Sequence, residues 1–148
     1  TADDADVSES LDREIRGLLT SCFNGPEDGV FAERRFWKEP PAHRWIMRNA
    51  GGDLIAHLAA HDKSLAVIEG EEAGRKLLIA GIAEVAVHPA ARGMGHAKEL
   101  LTVAHSSLER KQFHFAALFG RPEVYRSSGY RPAENLVRYY DTVEKQWR

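Results

Sequence analysis

IAGIAEVAVHPAARGMGHAKELLTVAHSSL, residues 79–108, divides into three parts whose order decides the fold. Ile79 to Val87 is apolar and rich in β-branched residues, the composition of a buried strand. Pro89 ends ladder pairing, because it has no N–H to donate. Arg92-Gly93-Met94-Gly95-His96-Ala97 follows, and from Ala97 onward Leu100, Leu101, Ala104 and Leu108 recur at helical spacing. The order is strand, glycine-containing turn, helix. Glycines let backbone N–H groups approach a ligand closely. The helix start adds unpaired donors and the positive end of a dipole. Together with Arg92 these features predict a phosphate site.

Two common phosphate motifs do not fit. No Gly-Lys-Ser/Thr occurs anywhere, which excludes a Walker A loop, and Lys98 stands where the dinucleotide fingerprint needs its third glycine. What matches is R-x-x-G-x-A preceded by V-x-V-x-P. That pattern resembles the pyrophosphate-binding motif of the GNAT superfamily of N-acyltransferases, which bind acetyl-CoA or another acyl-CoA. The resemblance implies an α+β fold with a mixed sheet. Its centre is mostly antiparallel, a parallel, splayed pair of strands surrounds the CoA site, and about four helices flank it. Residues 1–148 then form a single N-acetyltransferase domain. Within the superfamily, Asp53–Ala59 and Ala83–Val87 look most like the aminoglycoside 2'-N-acetyltransferases and the nodulation acyltransferases.

A second segment, Pro122-Glu123-Val124-Tyr125-Arg126-Ser127-Ser128-Gly129-Tyr130, resembles the [FY]-Y-x-x-x-G-[FY] stretch of the same superfamily. Val124 occupies its first aromatic position. In that superfamily the tyrosine matching Tyr125 protonates the departing CoA thiolate. A phenol within reach of a thiol leaving group of pKa near 8.5 can supply that proton. The resemblance further implies that the Val85, Ala86 and Val87 backbone holds the pantetheine and thioester carbonyl. Arg92 and the N–H groups of Gly93, Met94, Gly95, His96 and Ala97 would hold the pyrophosphate.

Glu84 is the only carboxylate of the central strand. It is a candidate general base, an anchor for a substrate ammonium, or a structural ion-pair partner. Bases of this superfamily often stand one residue earlier, where this chain has Ala83. Strand alternation places Ala83 and Glu84 on opposite faces. His57, His61 and His114 are further base candidates.

The rest of the chain reads as follows. Thr1–Ser8 is a loose lead-in or an incoming strand. Ser8–Phe23 is a helix with Leu11, Ile15, Leu18, Leu19 and Cys22 on one face, capped by Asp6 or Ser8. Val30–Lys38 is a shorter helix, and Arg34, Arg35, Phe36 and Trp37 either wall a substrate cleft or simply pack and solvate. His43–Arg48 and Leu54–Asp62 form strands around a turn at Asn49–Asp53. Ser64–Glu69 extends the second or begins another, and Arg75–Val87 returns after Gly70–Gly74. Phe113–Phe119 is a further strand, Pro122 opens a short helix that Gly129 ends, and Tyr130–Pro132 and Leu136–Tyr140 provide the closing strand or strands.

Composition limits the function classes. A net charge of −2 gives no basic footprint for nucleic acid. The single cysteine, Cys22, excludes an internal disulfide and fits a reducing, cytoplasmic setting. No apolar run approaches the roughly 20 residues that span a bilayer, and the acidic N-terminus is no signal peptide. His57 and His61 stand about 13 Å apart on a strand, too far to share a metal. The expectation is therefore an enzyme that moves acetyl from acetyl-CoA to a small-molecule amine, without metal, nucleic acid or membrane. The resemblance also admits a homodimer. A CoA-binding sensor or partner-binding module without turnover, and transfer of a longer acyl chain, are the competing readings.

Overall fold

A 13-residue strand, Leu54–Ala66 (β3), runs through the middle of the computed structural model, which describes residues 2–134, 140–141 and 146–147. Its antiparallel neighbours are His43–Arg48 (β2) on one side and Lys76–Val87 (β4) on the other. Ala2–Asp3 (β1) adds to β2, so the lead-in does contribute a strand. Phe115–Ala117 (β5) pairs in parallel with Ile79–Gly81 of β4. The five strands thus lie in the order β1-β2-β3-β4-β5. Two short strands, Tyr140–Asp141 (β6) and Gln146–Trp147 (β7), pair separately. The closing strand expected at Leu136–Tyr140 falls almost wholly outside the described residues.

A helix covers each face of the sheet. Glu9–Cys22 (α1) starts at Ser8, whose Oγ accepts the Leu11 N–H at 3.2 Å. It buries Ile15, Leu18 and Leu19 against Leu54, Ala86 and Phe31. His96–Arg110 (α2) buries Leu100, Leu101, Ala104 and Leu108 against Trp45, Leu58, Ala80 and Ile82 on the opposite face. Both stripes follow the i, i+3, i+4 spacing of their sequences. A four-residue helix, Pro122–Tyr125 (α3), precedes a 3₁₀ turn that Gly129 ends in the left-handed region. No helix among the described residues is long and apolar enough to cross a membrane.

The sheet belongs to the mixed class expected, and among the described residues it carries three α-helices rather than about four. The helix expected at Val30–Lys38 is absent. Asp28–Ala32 makes a 3₁₀ turn instead, and the chain then turns irregularly. Arg34 donates to the carbonyls of Phe36 and Trp37 at 3.2 and 2.5 Å, tying up acceptors in a local loop. Phe31 meanwhile packs between Phe23 and Trp37. The aromatic pattern records this cluster, not a helical face.

Candidate functional site

The pairing of β4 with its neighbours changes at one residue. Between Ala59↔Ala83 and His57↔Ala86, β3 advances two positions and β4 three. The extra residue makes a bulge, and Glu84 sits in it at φ 52°. A non-glycine residue at positive φ is uncommon and is held only where its surroundings fix it. Here the surroundings are buried and polar. The Glu84 carbonyl accepts from His57 Nδ1 at 2.9 Å. One carboxylate oxygen accepts the Trp37 N–H at 3.0 Å, and the other lies 3.4 Å from Arg44 Nη1.

This bulge cancels the alternation expected for Ala83 and Glu84. Both residues line the same cavity, of about 560 Å³, beside Phe23, Phe31, Trp37 and Phe119. The Glu84 side chain is 4% exposed. Burial pushes its carboxyl above the ordinary value, while the Arg44 charge and the Trp37 and Arg44 hydrogen bonds pull the other way. Of its three sequence readings, the ion pair is present, and the position facing the cavity keeps the other two open.

The next residue, Val85, lines a different cavity of about 450 Å³ with Val87, Arg92, Gly93, His96 and Tyr125. Ala86, Gly95 and Ala97 also border it. It opens because β4 and β5 part company: their pairing ends at Gly81 and Ala117. Gly93 and Gly95 take φ 78° and 83°, the left-handed region that lets the chain curl under the helix start. The first helical bond runs from Glu99 N–H to the Gly95 carbonyl at 3.0 Å. The N–H groups of His96, Ala97 and Lys98 therefore have no acceptor within α2. The buried Nδ1 of His96 has no hydrogen-bond partner either. Arg92 is anchored through Nε to the Val87 carbonyl at 3.2 Å. Met94 is exposed, 69% accessible, at the tip of the turn.

Tyr125 reaches this cavity from α3. Its ring meets Tyr130 edge-on at 6.0 Å and lies against Gly120, where an added Cβ would come within 2.6 Å of the ring. Burial raises its hydroxyl above the ordinary value, against a smaller lowering by Arg121. The phenol is protonated at neutral pH. Among the described residues it makes no hydrogen bond, and as a phenol it can donate one.

The sequence-predicted residues Val85, Ala86, Val87, Arg92, Gly93, Gly95, His96, Ala97 and Tyr125 are thus brought to one cavity, with Glu84 across the bulge in the adjoining one. Sequence reasoning missed Arg121, Cys22, Phe23 and Val124 on its wall. Cys22 Sγ donates to the Val87 carbonyl at 3.3 Å, the packing role expected of it. Of the further base candidates, His57 has both ring nitrogens engaged, by Arg44 and Glu84. His61 lies near Glu39, and His114 bonds the edge of β4 at Leu78.

Arg34 and Arg35 do not wall the cleft. The Arg34 guanidinium lies over the Phe36 ring at 5.2 Å. Arg35 is drawn inward to Asp4 and Asp12 at 2.7 and 3.0 Å. Only Trp37 of that group lines a cavity beside Glu84.

The sequence model of the acetyltransferase (GNAT) domain family matches residues 6–133. The chain belongs to that family. Among solved structures it is similar to YhbS, a GNAT family N-acetyltransferase of Escherichia coli in complex with CoA, at 23% identity and a TM-score of 0.62. That match covers 80% of this chain, which spans 62% of the E. coli chain. An acetyltransferase of Trypanosoma brucei is 16% identical, with a TM-score of 0.55 over 93% of this chain and 94% of that one. Glucosamine-6-phosphate N-acetyltransferase of Arabidopsis thaliana is 15% identical, with a TM-score of 0.55 over 85% and 88%. At these identities the likeness is one of fold. No curated protein sequence matches significantly.

Proposed function

We propose that this domain is an acyl-CoA-dependent N-acyltransferase that moves an acetyl group from acetyl-CoA to an amine. The observation that carries the reading is the meeting of two cavities at consecutive residues. Val85 borders the one with the phosphate turn and the free phenol, and Glu84 borders the one with a buried carboxylate. The first cavity fits CoA by its chemistry. It has left-handed glycines, leftover helix N–H groups, Arg92, and a buried His96 nitrogen with no hydrogen bond among the described residues.

Acetyl-CoA bound there supplies the acyl group on an activated thioester. Residues Gly93 to Ala97, with Arg92, hold the pyrophosphate, and the edge of β4 at Val85 to Val87, beyond the end of its pairing with β5, holds the pantetheine. Donors aimed at developing negative charge are worth about 10²–10³ in rate. The amine nitrogen attacks the thioester carbonyl; the new N–C bond forms as the C–S bond breaks. Glu84, a stronger base than an ordinary carboxylate because burial raises it, takes the proton lost from nitrogen, directly or through water. Tyr125 donates to the departing sulfur and regains its proton from solvent. No acyl-enzyme is needed.

The test is calorimetric titration of CoA together with thiol release from acetyl-CoA across a broad amine panel. Micromolar CoA binding with amine-dependent release supports the reading. Neither binding nor release overturns it. Binding without release, unchanged in Tyr125→Phe, identifies a domain that only holds CoA.

A further inference from the structure

We infer that the acceptor is a primary amine with an aromatic or alkyl body and no anionic group, an inference that rests on the acyltransfer reading above. The cavity beside Glu84 is walled by Phe23, Phe31, Trp37, Ile82 and Phe119. The Phe23 and Phe31 ring centroids lie 5.4 Å apart and those of Phe31 and Trp37 6.1 Å apart, both pairs tilted, so the rings of this wall support one another. At its lip stands Phe119, fully exposed.

The charge in this cavity has one sign. Glu27, Asp28 and Glu84 line it, and no Lys, Arg or His does among the described residues. The two arginines of the neighbouring loop are withdrawn, Arg34 to backbone carbonyls and Arg35 to Asp4 and Asp12. Asp28 is fixed by the Gly25 N–H at 2.6 Å, and Glu27, exposed at the rim, has no ion pair among the described residues. An ammonium is drawn in by the carboxylates and by the faces of the rings, and it releases one proton to solvent before the neutral amine attacks. A phosphate or carboxylate on the acceptor would meet only carboxylates. A sugar's hydroxyls would lose water against a wall that offers few partners. The aromatic surface favours a phenyl ring or an alkyl chain.

The experiment uses the full chain, with acetyl-CoA saturating where it binds. Thiol release is measured with 2-phenylethylamine, hexylamine, glucosamine 6-phosphate, an aminoglycoside and glycine. The expected result is a kcat/KM for the first two at least about tenfold above the other three, the difference a buried apolar group makes. Phe119→Ala, at an exposed position where folding is not at stake, should raise KM for 2-phenylethylamine several-fold and leave KM for acetyl-CoA unchanged. Glu27→Lys should raise KM for 2-phenylethylamine and lower it for glucosamine 6-phosphate. Equal or better turnover of the sugar phosphate, the aminoglycoside or glycine by the natural chain overturns the inference. If CoA binds but no amine is acetylated, calorimetry of 2-phenylethylamine into the CoA complex decides, and absence of binding overturns it. If CoA does not bind, the acyltransfer reading fails by itself, and the same titration into the chain alone judges the cavity separately.

Discussion

His57 Nδ1 lies 2.9 Å from the carbonyl of Glu84, and its Nε2 lies 2.8 Å from Arg44 Nη1. Arginine only donates, so Nε2 accepts and the ring proton is on Nδ1, donated to Glu84. This one bond replaces the ladder bond that the bulge gives up. Arg44 in turn donates to Asp4 at 2.8 Å, and Asp4 receives Arg35. A buried polar chain from the N-terminal segment therefore fixes the bulge that divides the two cavities.

Burial, helped by the Arg44 charge, pushes the His57 imidazole down from 6.5 to about 3. In the unfolded chain the ring takes a proton below about 6.5; in the folded protein it refuses one until about 3. The folded state binds fewer protons across that window, so this contribution to stability is complete above it and is lost as pH falls. The expected slope from this residue is about 1.4 kcal/mol per pH unit below about pH 6. Urea unfolding at pH 7, 6, 5 and 4 measures it. His57→Gln keeps a donor and an acceptor but does not titrate. It should show a slope shallower by one proton, and identical slopes would refute the assignment.

Arg44 is 1% exposed and stands between Asp4 and Glu84. Arg44→Met fills similar volume but takes the ion pair from the buried Glu84 carboxylate, while Asp4 keeps Arg35, a loss of about 3–5 kcal/mol. Glu84 also loses the charge that restrains its upward shift. Its carboxyl should then rise further, and the acid limb of kcat/KM should move to higher pH. Thermal unfolding and a pH–rate profile read the two effects separately.

Much of this architecture is written in periodicity. The stripes of α1 and α2, the hairpin at Asn49–Asp53 and the turn from Arg92 to Ala97 each repeat a local rule, and each stands where the sequence places it. The face of Glu84 is not written there, because a bulge is one inserted residue and leaves no period. The acidic lead-in reads as loose or as an incoming strand, and nothing in it marks a buried carboxylate, yet Asp4 is 9% exposed and bound by two arginines from far along the chain. No local pattern announces a partner 40 residues away. The failed helix at Val30–Lys38 has the same cause, since its aromatics answer to Phe23 and to each other.

Tyr125 lines the cavity of the Arg92–Ala97 turn, its hydroxyl without a hydrogen bond among the described residues, and its ring rests on Gly120. Tyr125→Phe should lower kcat by about 10²-fold, the usual weight of a positioned acid, with little change in CoA affinity. Gly120→Ala should lower kcat as well, because the new methyl displaces the ring from 2.6 Å. Since burial raises the phenol, no basic limb from its ionisation should appear below about pH 10. Steady-state kinetics from pH 6 to 10 and CoA calorimetry on both variants test this. A Phe variant with natural kcat would remove Tyr125 from the chemistry.

Gly95 caps α2 at φ 83°, and a Cβ there would touch nothing within 4 Å. Its replacement by Ala therefore meets no steric wall, only the left-handed backbone, which costs about 1–2 kcal/mol for a residue with Cβ. The turn is expected to relax and withdraw its N–H groups from the anion. Gly95→Ala should raise KM for acetyl-CoA about tenfold while kcat stays within about twofold. Arg92→Ala should also raise that KM, and because it removes a charge it should flatten the dependence of KM on ionic strength. Gly95→Ala removes none and should keep the natural salt dependence. The opposite pattern, a fall in kcat with KM unchanged in both variants, would place the pyrophosphate elsewhere than this turn.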